Sequence, residues 1–212
     1  MEELKRRSPV RFKNAAIETE TKDSWRVALR YADEADGPYL VDLSHKARWD
    51  LQDANLASFH PCDMDIPEYP GGCAIKDGVI INRMNRTQAA IWHLASGTTQ
   101  LPPESAYTDV TEATVFLSLF GPHVFSITEK LTALDFLNPQ KIVPFLLQGP
   151  LCHVPCQIVT MEKAKEGAGS ILFTCSRGYA QDMADATLAA GIEFGLQPAG
   201  ENTFHNWLQS RF

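Results

Sequence analysis

The chain has 212 residues, of which 44% are apolar and 21% charged, and its formal net charge is −7. These are the proportions of a globular protein with a real hydrophobic core. The first 13 residues carry five basic and two acidic side chains, which leaves the rest of the chain at −10. An acidic body of that kind repels phosphate backbones and argues against nucleic-acid binding. No apolar run approaches the roughly 20 residues that span a bilayer. The N-terminal MEELKRRSPVRFK has no apolar segment behind its basic patch, so it does not read as a secretory signal. Five cysteines, an odd number, then fit a reducing compartment, and a cytoplasmic protein without a membrane segment is expected.

Residues 1–24 read as a basic, mobile arm able to dock on an acidic partner. A first α+β half is expected over 25–95. WRVALRYAD alternates Trp25, Val27, Leu29 and Tyr31 on one face and reads as a strand, broken by Asp36-Gly37-Pro38. KARWDLQ predicts a half-exposed strand with Ala47, Trp49 and Leu51 inward and Arg48, Asp50 and Gln52 outward. DANLASFH follows as a short helix capped by Asp53. VIINRM and AAIWHLA predict a hairpin across NRTQ. Residues 96–106 serve as a linker. The second half, 107–212, begins with the strand TVFLSLF and a helix from Pro122, in which Ile127, Leu131 and Leu134 recur at helical spacing. NPQKIVPF is a connection. CHVPCQIVTM and SILFTCS are strands separated by the soluble turn EKAKEGAGS. GYAQDMADATLAAG is a helix ending near Gly191, and AGENTFHNWLQSRF is a last helix.

The two halves run in the same order. DLSHKARWDL at 42–51 aligns with DVTEATVFLSL at 109–119, with one extra residue in the second. This internal similarity predicts an α+β fold of two similar strand-helix-strand-hairpin halves packed together.

Catalytic and metal constellations are weak. Asp42, Ser44 and His45 look like a hydrolase set, but neighbours in an extended strand point to opposite faces, which separates Ser44 from His45. No GxSxG elbow is present. Asp42 and Ser44 are better suited to bonding nearby backbone at a strand end. CHVPC places Cys152 and Cys156 four apart without the second close pair that structural zinc uses, so no metal site is assigned. KEGAGS lacks the order of a phosphate loop, and no dinucleotide fingerprint is visible. Asp77 precedes a glycine before a strand and reads first as a turn residue.

YTDVTEATVFLSLFGPHVFSITEKLTALDF, CHVPCQIV and FTCSRGYAQDMADATLAAG resemble the gamma subunit of heterotetrameric sarcosine oxidase. DLSHKARWDL and EFGLQPAGENTF are similar to segments of the wider superfamily of the glycine-cleavage T-protein, a folate-dependent aminomethyltransferase. The resemblance covers roughly residues 39–192. It implies a T-protein-like folate-binding domain fold. It also implies an accessory subunit, without catalytic residues of its own, of a one-carbon-oxidising complex whose larger subunits hold the flavin, nicotinamide and folate. Tetrahydrofolate is the one cofactor it would add, with Asp77, Arg83 and Trp92 as the implied folate-binding residues. The acidic pair of T-proteins is reduced here to Asp77 before Gly78, and ENTF stands where T-proteins carry arginines. The alternative is a free-standing tetrahydrofolate-binding, aminomethyltransferase-like protein.

Overall fold

The computed structural model describes residues 5–95, 99–164 and 167–211. Residues 96–98 of the expected linker and 165–166 of the expected soluble turn lie outside them, as do 1–4 of the expected arm and 212 at the end of the last predicted helix.

Thirteen strands form three sheets among the described residues. β1 (Ala16–Lys22) and β2 (Trp25–Tyr31) make an antiparallel ribbon. β3 (Tyr39–Asp42) and β4 (Arg48–Gln52) flank the Ser44-His45 turn. β5 (Cys73–Lys76), β6 (Val79–Arg83) and β7 (Gln88–His93) form a meander. β8 (Tyr107–Asp109) and β9 (Thr114–Gly121) open the second half. β10 (Phe145–Leu151), β11 (Val154–Lys163) and β12 (Gly169–Ser176) make a second meander, and β13 (Gln197–Ala199) is a short parallel strand beside β3. Helices are few: α1 (Val124–Thr128), α2 (Ala180–Gly191) and α3 (Glu201–Gln209).

The five-stranded sheet runs β5-β6-β7-β4-β8, and the six-stranded sheet runs β10-β11-β12-β9-β3-β13. Up to β13 the two orders are equivalent: a meander, then the strand that follows the Asp-aliphatic-Ser/Thr turn, then the strand before that turn. That last strand is exchanged. β8 comes from the second half and completes the first sheet, while β3 comes from the first half and completes the second.

Layering follows from which faces are apolar. One face of the six-stranded sheet, with Leu117, Leu119, Ile158 and Phe173, packs under α1 and α2. Its other face, with Phe116, Phe120 and Leu172, meets Ile80 and Trp92 of the five-stranded sheet and Phe204 of α3. The far face of the five-stranded sheet, with Leu51, Ile81 and Ile91, is covered by Leu56 and Met64 from the 53–72 loop. β9 is therefore buried on both faces, which explains its near-continuous apolar run.

Several expectations change in detail. Residues 5–24, read as a mobile arm, contain β1, and Val10 is buried in the first core. The helix expected after β4 is one turn of 3-10 helix, Leu56–Ser58, and the Asp53 carboxylate accepts from the Asn55 N–H ahead of it. The long helix expected from Pro122 closes after α1. Arg48, placed outward by strand alternation, is 1% exposed. Its side chain turns into the junction of the two sheets, where it donates to the Lys46, Thr111 and Thr114 carbonyls at 2.6, 2.5 and 3.0 Å. Burial lowers its pKa to about 9, against the raising pull of Asp42 and Asp109.

Candidate functional site

The two Asp-aliphatic-Ser/Thr turns meet at the sheet junction and mirror one another. The Asp42 carboxylate accepts from the Ser44 N–H at 2.9 Å, and the Asp109 carboxylate accepts from the Thr111 N–H at 2.8 Å. The Ser44 hydroxyl accepts from the Phe116 N–H in β9, and the Thr111 hydroxyl from the Arg48 N–H in β4. Backbone bonds repeat the exchange: Leu43 N–H to the Phe116 carbonyl at 2.8 Å, Val110 N–H to the Arg48 carbonyl at 2.9 Å. Each turn thus clasps the strand of the other half. Ser44 and His45 part company here, but in the turn between β3 and β4 and not by alternation along a strand.

His45 and the next residue, Lys46, face α3 instead. That helix begins at Gly200, whose backbone lies so close to the Leu29 carbonyl of β2 that an added Cβ would come within 2.1 Å of its oxygen. Glu34 accepts from the Gly200 N–H at 2.8 Å and the Thr203 hydroxyl at 2.6 Å, an anionic cap at the positive end of the helix. Held this way, Glu201 is 1% exposed, with two lysines and a histidine against it. Lys46 Nζ lies 2.5 Å and His45 Nε2 3.1 Å from Oε1, and Lys22 Nζ, reaching in from β1, lies 2.7 Å from Oε2. The Lys22 contact is a directed hydrogen bond, whereas the Lys46 and His45 contacts at Oε1 lack hydrogen-bond alignment.

Burial alone would raise the Glu201 pKa. His45, Lys46 and Lys22 outweigh it and hold the carboxyl well below the usual range. Burial lowers the Lys46 pKa despite Glu201. A carboxylate held this firmly in its charged form is a poor proton acceptor near neutrality; it suits positioning better than acid–base work.

Beside the cluster is a cavity of about 640 Å³, lined by Lys22, His45, Lys46, Trp49, His93 and Asp109 among others. The Trp49 and His93 rings are 4.3 Å apart. His93 is buried, its Nε2 has no hydrogen-bond partner among the described residues, and burial lowers its pKa to about 4.

The residues expected to bind folate do not line this cavity, nor do they converge elsewhere. Asp77 is exposed at the tip of the β5–β6 hairpin, where it and Gly78 take positive φ of 50° and 73°, a turn role. Arg83 is at the other end of β6, four extended steps or about 13 Å beyond Val79, and donates to the Arg86 carbonyl at 2.7 Å. Trp92 is buried between the sheets, its ring centroid 5.1 Å from that of Phe116. These three residues do not fit one pterin.

Glu201, Lys22 and Lys46 were not singled out by sequence, because nothing local relates residues 22, 46 and 201. Cys152 and His153 occupy the β10–β11 turn with positive φ, and Cys156 and Cys175 are buried on adjacent strands. Among the described residues no group of three or more His, Cys, Asp or Glu side chains is arranged to hold a metal, and no helix is long and apolar enough to cross a membrane.

No family profile and no curated protein sequence matches the chain. Solved structures do. A chain of the heterotetrameric sarcosine oxidase from Corynebacterium sp. U-96, solved with pyrrole 2-carboxylate, superposes with a TM-score of 0.58 at 15% identity, covering 73% of this chain and 84% of that one. The glycine cleavage system aminomethyltransferase T from Bartonella henselae superposes with a TM-score of 0.54 at 14% identity, covering 89% of this chain and 57% of that one. Both likenesses are of fold. They support the T-protein-like fold, and this chain spans little more than half of that aminomethyltransferase.

Proposed function

We propose that the chain is an accessory subunit of a sarcosine-oxidase-like complex, built from two copies of one strand-meander unit that exchange their outer strands. The observation that carries this reading is the match to the sarcosine oxidase chain. The superposed segment takes up 84% of that chain and 73% of this one, so the likeness runs through most of both. The partners are larger subunits holding flavin and nicotinamide cofactors. The ion-paired Glu201 cluster suits this role, because its charges hold the β1–β2 ribbon, the β3–β4 turn and α3 together. Affinity purification of the tagged chain from its native source tests the reading. Larger subunits with flavin absorbance should co-elute, and elution without any flavoprotein contradicts it.

The second reading, a free-standing tetrahydrofolate-binding protein, is favoured by the cavity beside Trp49 and His93. A pterin would then use those rings and Lys46, not Asp77, Arg83 and Trp92. Titration of tetrahydrofolate against the wild type and Trp49→Ala distinguishes the two. Saturable binding lost in Trp49→Ala favours this reading, and the absence of binding excludes it.

A further inference from the structure

From residue 6 to residue 11 the basic head of the chain is held in place. Residue 6 bridges to Trp25 of β2, and the Arg6 N–H donates to the Ser24 carbonyl at 3.0 Å. Arg177 donates to the Arg7 carbonyl at 2.6 Å. Gln181 of α2 accepts from the Arg11 N–H at 2.8 Å and donates to the Arg11 carbonyl at 3.2 Å. Val10 anchors the segment in the core.

Anchoring the backbone leaves the side chains standing around a groove of about 650 Å³ between this segment and the β1–β2 turn. Five cations line it, Lys5, Arg6, Arg7, Arg11 and Arg26, and among the described residues no carboxylate does. Arg6 is paired with Asp23 and Glu112 at 2.7 and 3.1 Å. The other four are exposed and have no ion pair among the described residues. A concave surface of one charge focuses its field and raises the local concentration of the opposite charge.

We propose that this groove docks an acidic peptide segment of a partner protein. The charge of the remaining chain, −10, selects for a short occupant. A nucleic acid would run beyond the groove onto a body of that net charge and be repelled, whereas a few carboxylates can be confined between the four cations. Arginine forks match carboxylates in two-point contacts. The proposal rests on this charge arrangement and does not depend on the subunit reading.

Fluorescence anisotropy with labelled deca-glutamate and the full chain tests it. The wild type should bind at 50 mM salt and weaken as salt rises. Arg7→Glu/Arg26→Glu should bind at least tenfold more weakly, and Lys76→Glu, which alters an exposed lysine of β5, should bind as the wild type does. If that double variant does not fold, Lys5→Glu/Arg11→Glu gives the same comparison. The proposal is overturned by no binding at 50 mM salt, by an equal loss in Lys76→Glu, or by tighter binding of a single-stranded DNA of equal charge. Because the peptide is tested on the purified chain, failure here leaves the subunit reading untouched, and the converse also holds.

Discussion

A carboxylate buried as completely as Glu201 depends on its partners, and so do they. Replacing it in Glu201→Gln leaves Lys46 buried without a counter-charge, at a cost of about 3–5 kcal/mol. Urea denaturation should show that loss, and Glu201→Leu combined with Lys46→Met should recover much of it. Glu201 also sets an acid limit. Its folded pKa is depressed, so its contribution is complete above the ordinary value of 4.5 and is lost as pH falls toward the folded value. His93 acts in a higher window. With its folded pKa at about 4 and its ordinary value at 6.5, the unfolded chain takes up a proton first as pH drops below 6.5. Stability should fall by roughly 1 kcal/mol between pH 7.5 and 5.5. His93→Leu should lose much less over that interval; His205, also lowered by burial, remains as a smaller contributor. An unchanged pH slope in His93→Leu contradicts this account. At this scale the sequence was partly legible. Asp42 and Ser44 could be read because their hydrogen bonds are local. Arg48 could not, because alternation describes faces of a strand and not a side chain that curls back to carbonyls at a junction.

Between elements, the mutual clasp of the two Asp-aliphatic-Ser/Thr turns is the tie most open to test. Thr111→Val removes the acceptor from the buried Arg48 N–H, and Ser44→Ala does the same to Phe116 N–H. Each should cost about 1–3 kcal/mol, the range for stranding a buried donor. Ser118 is also buried in β9, but its hydroxyl has no partner among the described residues, so Ser118→Ala should be close to neutral by the same denaturation measurement. Equal losses in all three would assign the effect to side-chain volume and not to the clasp. β9, α2 and the β6–β7 hairpin were legible because a one- or two-sided apolar pattern and clear turns mark them. β1 was not, since AIETETK has no apolar face and all but its last residue are exposed. β10 was hidden by Gly149 and Pro150, which punctuate FLLQGPL although it pairs along its whole length with β11. The exchange of β3 and β8 leaves no local trace, because each strand's pattern is satisfied by either sheet.

Exchange of outer strands gives the whole molecule a consequence that two side-by-side halves would lack. Neither sheet is complete without a strand from the other half, and one core lies between them. Heat and urea should therefore unfold the chain in a single transition, with circular dichroism and tryptophan fluorescence coincident. Two separated transitions would mean that the halves are independent. The repeat at 42–51 and 109–119 marks the two turns that meet at the sheet junction; the interlocking of the sheets, and the Glu201 cluster that closes the ribbon over it, depend on contacts between distant residues. The subunit reading stands on fold likeness, and its most direct test is the mass of the particle that contains this chain when purified from its source. Light scattering across a size-exclusion peak should give a mass several times that of the chain, with flavin absorbance in the same peak. A particle with the mass of the chain alone, free of flavin, would contradict it.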